Sequence, residues 1–397
     1  MKYRKYLVTT AMCMAVVAVQ AQQALWSGAP LKSPEIHADN TATFRLYAPK
    51  AVTVEVAGDF LYADTVATVA TVGQMKEGKD GVWEYTTPKP LQSELYSYSF
   101  IVDGQKMLDP SNVFINRDVA TVTNIFIVGG GRGDLYAVKN VPHGTVSRVW
   151  YDSPSLGMQR RMTVYTPAGY EKSNKKYPVL YLLHGMGGDE EAWIALGRTA
   201  QILDNLIAAG KAEPMIVVMP NGNVSQEAAP GETPERMDQP VFNLPKTMEG
   251  TMERTFSDIM KFVESTYRVK TQKSARAIAG LSMGGMHALH ISKEYPDKFD
   301  YVGLFSAAIV PANHEKNPNP PEIYQNMEAK LQKQFKNPPA LYWIGIGTDD
   351  FLYSFNTDYR KLLDRLHCPY TYYETGEGHI WRNWRIYLSE FVPLLFK

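Results

Sequence analysis

The chain has 397 residues, 45% of them hydrophobic and 12% aromatic, which is enough to bury the cores of two domains. Basic and acidic side chains both number 41, so the formal net charge is zero and we expect neither nucleic acid nor a membrane as a partner. The two cysteines are Cys13 and Cys368. Because Cys13 falls in the leader described next, we expect no disulfide in the mature fold.

The N-terminus has the pattern of a secretory signal peptide. Three of the first five residues are basic, an apolar run follows over 7–19, and the small residue Ala21 closes the segment. The apolar run is short for a segment that spans a bilayer. We therefore expect residues 1–21 to be removed and the protein to be secreted or periplasmic.

Residues 22–128, called the module below, show short segments in which apolar and polar residues alternate. Turn signals separate these segments, which cover 43–47, 52–56, 82–85 and 96–102. This pattern predicts an all-β, immunoglobulin-like sandwich. Four glycines follow within 129–134, and we interpret 129–140 as a Gly-rich linker that acts as a hinge.

Residues 141–397, called the second domain, alternate apolar strands with helical patterns. Strands are predicted at 161–165, 179–183, 215–219, 275–280, 301–305 and 341–346, and helices at 200–209 and 255–267. Continuous apolar strands between helices indicate an α/β fold with a mainly parallel sheet covered on both faces. Residues 225–249 lack periodicity and are either a loop over the active face or a surface insertion.

Residues 280–284 read Gly-Leu-Ser-Met-Gly, after the apolar run 277–279 and before a helical pattern. This strand, turn and helix context is the one that a nucleophile elbow requires, with Ser282 as the nucleophile. A serine needs a base and an orienting carboxylate, which in α/β-hydrolases follow in the order Ser, acid, His. His379 lies in a glycine-flanked loop near the C-terminus and is the predicted base. Asp349 and Asp350 follow a strand, and spacing alone does not separate them as the acid.

An oxyanion hole is predicted from residues 182–188, which read Leu-Leu-His-Gly-Met-Gly-Gly after an early strand. The expected donors are the backbone N–H of Met283 and one from Gly185 or Met186, because backbone amides can stabilise the developing oxyanion. His184 could in principle bind a metal, but no neighbouring ligand spacing supports one. We expect its ring to pack beneath the loop, and we predict neither a metal nor a cofactor.

With these residues placed, the second domain resembles carbohydrate esterase family one, which contains feruloyl and acetylxylan esterases. The resemblance is carried by residues 182–185, 219–222, 276–285, 347–350 and 378–384. In that family the acid is the last residue of a Gly-x-x-Asp element, so the resemblance implies Asp350. The module is similar to family-48 carbohydrate-binding modules through 44–49, 96–100 and 109–112.

The resemblance implies an exported serine esterase that removes feruloyl groups from arabinoxylan. Alternatives are an acetylxylan or general short-acyl esterase, an acyltransferase, and a non-catalytic carbohydrate-binding protein. An aromatic acyl pocket needs apolar, planar walls, for which the candidates near the catalytic loops are Trp193, Phe351, Tyr353 and Trp381. The module either binds polysaccharide, which we favour, or is structural, covering apolar surface of the second domain or contributing a wall of the acyl pocket. In the first case a chain starting near Leu135 should keep small-ester turnover.

Overall fold

The computed structural model describes residues 31–61, 72–233, 241–242, 244–309 and 320–397. The predicted signal peptide lies outside these residues. Within them, no helix is long and apolar enough to span a membrane.

The module is built from antiparallel strands in two sheets. Its strands are β1 (Glu35–Ile36), β2 (Ala42–Tyr47), β3 (Val54–Gly58), β4 (Val72–Gln74), β5 (Lys76–Glu77), β6 (Val82–Thr86), β7 (Leu95–Val102), β8 (Gln105–Met107), β9 (Ile115–Asp118) and β10 (Thr121–Ile127). One sheet has the order β1-β2-β6-β5 and the other β4-β3-β7-β10-β9, with β8 paired to β7. Aromatic side chains from both sheets fill the core between them, among them Phe44, Tyr98 and Phe126. The all-β sandwich predicted from alternation is therefore present.

The second sheet of the module uses both of its faces. Tyr96, Tyr98 and Phe100 point into the sandwich core, as alternate residues of β7 must. On the opposite face, Leu95 of β7 and Ile125 of β10 join a core cluster of the second domain. The two domains therefore share a buried apolar contact.

The segment 129–140, which the sequence predicts to be a linker, is packed against both domains along part of its length. It contains the short helix α1 (Gly133–Tyr136), in which Tyr136 is fully buried in the second domain's core. Asn205 donates its amide protons to the backbone oxygens of residues 134, 135 and 137 over 3.0–3.3 Å. The glycines allow a close approach to Ser93 and Val128, so the glycine-rich composition serves packing here.

The second domain has an eight-stranded sheet in the order β11-β12-β14-β13-β15-β16-β17-β18. Its strands are β11 (Thr145–Ser153), β12 (Met158–Thr166), β13 (Val179–Leu183), β14 (Ile216–Pro220), β15 (Arg276–Leu281), β16 (Tyr301–Phe305), β17 (Leu341–Gly347) and β18 (Thr371–Thr375). Its helices are α2 (Ala192–Ala195), α3 (Thr199–Ala208), α4 (Thr251–Thr266), α5 (Met283–Glu294), α6 (Met327–Gln334), α7 (Tyr353–Arg365) and α8 (Trp381–Phe391). Strand β12 pairs antiparallel with β11 and with β14, and the remaining strands pair in parallel, which is the predicted α/β-hydrolase arrangement.

Alternate residues of the central strands bury themselves on opposite faces of this sheet. Tyr181 and Leu183 of β13 enter one core cluster, whereas Leu180 and Leu182 enter the other. This two-sided burial explains the continuous apolar runs in the sequence. Because β13, β15 and β17 run parallel, their carboxyl ends lie at one edge of the sheet, where the loops of the site begin.

Candidate active site

Ser282 lies in a strained turn between β15 and α5. Its backbone has φ 52° and ψ −117°, a conformation that non-glycine residues rarely adopt, and its N–H donates to Phe305 O at 2.9 Å. A Cβ on Gly284 would lie 2.4 Å from Leu183 O, so the turn can close only with glycine there. The predicted nucleophile elbow is formed, with Met283 as the first residue of α5.

His379 and Asp350 meet across the ends of β17 and β18. His379 Nδ1 lies 2.9 Å from Asp350 Oδ2, and Leu352 N donates to the other carboxylate oxygen at 2.9 Å. Asp350 is buried, whereas its neighbour Asp349 is exposed. Because an ionised carboxylate can only accept, Nδ1 carries the proton and Nε2 of the neutral ring is free to accept one. Of the two aspartates left open by spacing, the structure brings Asp350 to the histidine.

The loop that holds His379 is fixed from below by Asn383. Its amide donates to Gly376 O at 3.0 Å and to Gly378 O at 2.9 Å. The His379 ring lies between two aromatic side chains, with Phe351 at 4.6 Å and Trp384 at 5.0 Å between ring centroids. These contacts restrict the ring to one orientation.

The predicted oxyanion loop packs directly on the elbow. A Cβ on Gly185 would lie 2.4 Å from Leu281 Cδ1 and 3.4 Å from Ser282 Cβ, so the backbone at Gly185 runs alongside the serine. Gly188 N donates to Gly185 O at 3.1 Å, which closes the turn through Met186 and Gly187. Backbone amides of this loop are thereby held near the serine.

His184 fastens the start of this loop, as expected from the sequence. Its Nε2 accepts from Gly222 N at 2.7 Å, so Nδ1 must carry the proton that is shared with Gly185 O at 2.7 Å. The ring is 2% exposed, and this burial lowers the pKa of His184. The neutral imidazole therefore joins the oxyanion loop to the turn after β14.

Beyond His184, a buried polar network holds the same loop, and sequence reasoning missed it. Glu190 accepts from Arg161 Nε at 2.7 Å and from Ala229 N at 2.8 Å. Asn221 donates to the second Glu190 oxygen at 3.0 Å. Because Ala229 belongs to the unpatterned 225–249 segment, the first part of that segment is packed against the site. The available signal was a charged residue, Arg161, inside the strand predicted at 161–165.

Of the four aromatic candidates for substrate contact, the structure rejects Trp193. Trp193 is 1% exposed and donates its indole N–H to Leu183 O at 2.9 Å, so it is a core residue beneath the oxyanion loop. Tyr353 donates its hydroxyl to Glu374 at 2.8 Å and is absent from the lining of the cleft described next. Phe351 is 71% exposed beside His379, and Trp381 lines that cleft.

A cleft of about 580 Å³ lies between the module and the second domain and reaches His379. The module contributes small and hydroxylated side chains from the outer face of its second sheet, such as Ala57, Ser97 and Thr123. The second domain contributes Trp381 and Arg382, among others. Such a volume is within the usual range for ligand sites, about 300–1,000 Å³. The module is therefore a wall of the candidate active site.

Charged side chains of the second domain interact with residues of the module. The Arg382 guanidinium lies over the Tyr96 ring at 5.2 Å and near Asp59, whose pKa is raised to about 6 by removal from water. Arg385, 3% exposed, donates to Leu95 O at 3.0 Å and to Glu94 at 3.3 Å. Among the described residues, no group of three or more His, Cys, Asp or Glu side chains is arranged to hold a metal ion.

Family models match both parts of the chain. Residues 153–393 match the family Esterase, and residues 31–115 match carbohydrate-binding module 48, the isoamylase N-terminal domain. The elbow, the His379–Asp350 pair and the parallel sheet all fall within the first match. The chain belongs to this esterase family and carries a family-48 module, which places it among the carboxylic ester hydrolases.

Several known esterases are similar to this chain. The chain is 31% identical over 372 residues to an endo-1,4-beta-xylanase/feruloyl esterase of Xylanibacter ruminicola, covering 92% of this chain and 46% of that protein. It thus spans about half the length of that relative. A ferulic acid esterase from Anaeromyces mucronatus, solved with ferulic acid, is 28% identical with a TM-score of 0.54 over 66% of this chain and 93% of that one. The enterobactin esterase of Shigella flexneri shares the fold over 94% of this chain and 98% of its own, with a TM-score of 0.65 at 15% identity.

Proposed function

We propose that this protein is an exported serine esterase that hydrolyses feruloyl esters on arabinoxylan. The observation that carries the proposal is the His379–Asp350 pair at 2.9 Å, on the same sheet edge as a strained serine and a loop of close-packed glycines. Both the Xylanibacter and the Anaeromyces relatives are named for feruloyl or ferulic acid ester hydrolysis.

In the proposed mechanism Ser282 Oγ attacks the ester carbonyl while His379 Nε2 takes its proton. The backbone amides of Met283 and of Met186 or Gly185 stabilise the oxyanion, and Asp350 holds the imidazolium that forms. His379 then gives the proton to the departing sugar oxygen, which leaves a feruloyl ester on Ser282. Water, activated by the same histidine, attacks this acyl-enzyme and releases ferulate.

Two surfaces next to His379 support the assignment of substrate. Phe351 presents an exposed ring 4.6 Å from the imidazole, and such an apolar plane suits an aromatic acyl group. The cleft between the domains is lined with serine and threonine hydroxyls and the Trp381 indole, which suit a sugar chain. We infer that the ferulate contacts Phe351 and that the arabinoxylan lies in the cleft.

The decisive experiment compares methyl ferulate, 4-nitrophenyl acetate and acetylated xylan as substrates for the wild type, Ser282→Ala and Phe351→Ala. We expect turnover that requires Ser282, with methyl ferulate preferred. Phe351→Ala should lower kcat/KM on methyl ferulate by about 10-fold while changing 4-nitrophenyl acetate hydrolysis by less than about 2-fold. Preference for acetylated xylan would instead establish the acetyl esterase alternative.

A further inference from the structure

The hairpin formed by β9 and β10 reaches from the module into the catalytic loops. Its tip is Val119, whose φ of 53° is a rare, strained conformation for a β-branched residue. Arg117 Nη1 donates to Val119 O at 2.9 Å and helps to hold this conformation. Strain of this kind persists only where surrounding contacts enforce it, and it concentrates at functional sites.

Arg117 also forms an ion pair with the end of the oxyanion loop. Its Nη2 contacts Asp189 Oδ2, and Asp189 is 3% exposed. The other carboxylate oxygen accepts from Glu191 N at 3.0 Å, so Asp189 is fixed on both sides. Asp189 directly follows Gly188, whose N–H closes the turn through Met186. The guanidinium of the module therefore anchors the C-terminal end of this turn.

Val119 packs on the middle of the same loop. A Cβ on Gly187 would lie 2.7 Å from Val119 Cγ2 and 3.1 Å from Phe242 Cδ2. The second domain itself anchors the ends of the loop, through His184 on one side and through Asn223, which donates to Gly188 O at 2.7 Å, on the other. The middle of the loop, at Gly187, is instead contacted by Val119 of the module and by Phe242 of the 225–249 segment.

Asp118, which lies between Arg117 and Val119 in the hairpin, contacts the segment that follows His379. The Asp118 side chain and the Trp381 indole line the same cleft side by side, and Trp381 lies two residues after His379. Three consecutive hairpin residues thus contact the loop that carries the oxyanion donors and the segment that carries the base. A module that only tethered the enzyme to polysaccharide would not need these contacts to the catalytic loops.

We propose that Arg117, with Val119, is a positioning residue for catalysis, holding the oxyanion loop at the distance from Ser282 that the reaction needs. The inference rests on the proposed serine mechanism and assigns to the module a role in it, which is to position the oxyanion loop. Displacement of an aligned group by about 1 Å can cost about 100-fold in rate. A loosened oxyanion loop should lower kcat, because it acts on the transition state more than on substrate binding.

The test measures kcat and KM on 4-nitrophenyl acetate, which is too small to need the cleft. We expect Arg117→Ala to lower kcat by about 10- to 100-fold with KM changed by less than about 3-fold. Arg117→Lys, which keeps the charge, should recover part of the loss. The matched control is Arg45→Ala, because Arg45 pairs with Glu84 at 2.7 Å within the module and should keep wild-type kcat.

A kcat for Arg117→Ala within 2-fold of Arg45→Ala overturns the proposal. If Arg117→Ala does not fold, Val119→Ala decides, because it removes the contact to Gly187 and relieves strain. A kcat reduced by about 3- to 10-fold with an unchanged melting temperature supports the proposal, and a wild-type kcat overturns it. Wild-type protein that a fluorophosphonate does not label at Ser282 would contradict the proposed function instead, and this inference with it.

Discussion

Asp350 is buried with its carboxylate 2.9 Å from His379 Nδ1, while Asp349, the preceding residue, is exposed and contacts the His379 loop through its backbone N–H to Glu377 O at 3.1 Å. Two adjacent aspartates thus differ in burial, and the buried one, Asp350, is paired with His379. This difference provides a matched pair of variants for testing the acid.

Ser282→Ala and His379→Ala should each lower kcat/KM on methyl ferulate by about 10⁴-fold or more, because triad members act as a unit. Asp350→Asn should cost about 10²- to 10⁴-fold, since the imidazole loses its orienting carboxylate. Asp349→Asn should stay within about 2-fold of wild type. A larger loss for Asp349→Asn than for Asp350→Asn would show that the acid is misassigned.

His184→Ala should destabilise the protein at pH 7.5 by about 1–3 kcal/mol, because Gly222 N–H is left buried without an acceptor. The folded-state pKa of His184 is lowered from 6.5, so its stabilisation is present above pH 6.5 and lost as the pH falls through the folded pKa. The difference between wild type and variant should therefore shrink at acid pH. Urea unfolding at pH 7.5 and 5.0 measures this change, and a constant difference would contradict the neutral histidine.

Asp59→Asn should raise the melting temperature at pH 7.5 and leave it nearly unchanged at pH 3.5. The pKa of Asp59 is raised from 3.8 to about 6, so the folded state favours the protonated acid. Its relative contribution to stability is fully present below pH 3.8 and is lost as the pH rises through about 6. Asp80→Asn, at an exposed turn of the module, is the control, and both variants are followed by thermal unfolding across this range.

A chain that begins at Leu135 should lose stability and small-ester turnover together, contrary to the expectation from sequence. Removing the module would expose the apolar surface that Leu95 and Ile125 cover and would leave Arg385 without its partners Glu94 and Leu95 O. Comparison of melting temperature, dye binding to exposed apolar surface and 4-nitrophenyl acetate turnover tests this. Wild-type turnover in the shortened chain would restore the tether interpretation.

Most of the second domain could be predicted because its strands are buried on both faces and its candidate catalytic residues lie in glycine-rich motifs. The stretch 179–183 was placed to the residue, and residues 280–284 formed the expected elbow. The edge strand β11 was missed, since its alternating exposure gives a weaker signal than a continuous apolar run. Helix α8 was missed because polar residues such as Asn383 and Arg385 are buried in it together with its apolar ones.

Contacts between distant segments could not be predicted from one sequence. Glycines at 129–133 fit a flexible linker and a tightly packed turn equally well, and contacts such as the burial of Tyr136 distinguish the two. Trp193 resembled a pocket residue because it follows the oxyanion loop, yet its indole caps Leu183 O inside the core. Arg117 had no local signal at all, since its partner Asp189 lies 72 residues away.

Arg385 on α8 is fixed to the module, and the same helix begins two residues after His379. A rotation of the module relative to the second domain would therefore also move His379, the proposed base. Under the proposed function, the two domains would therefore bind a polymeric substrate as a single unit. The ester bond to be cleaved would then have to project into the cleft at the moment when the protein binds the polymer.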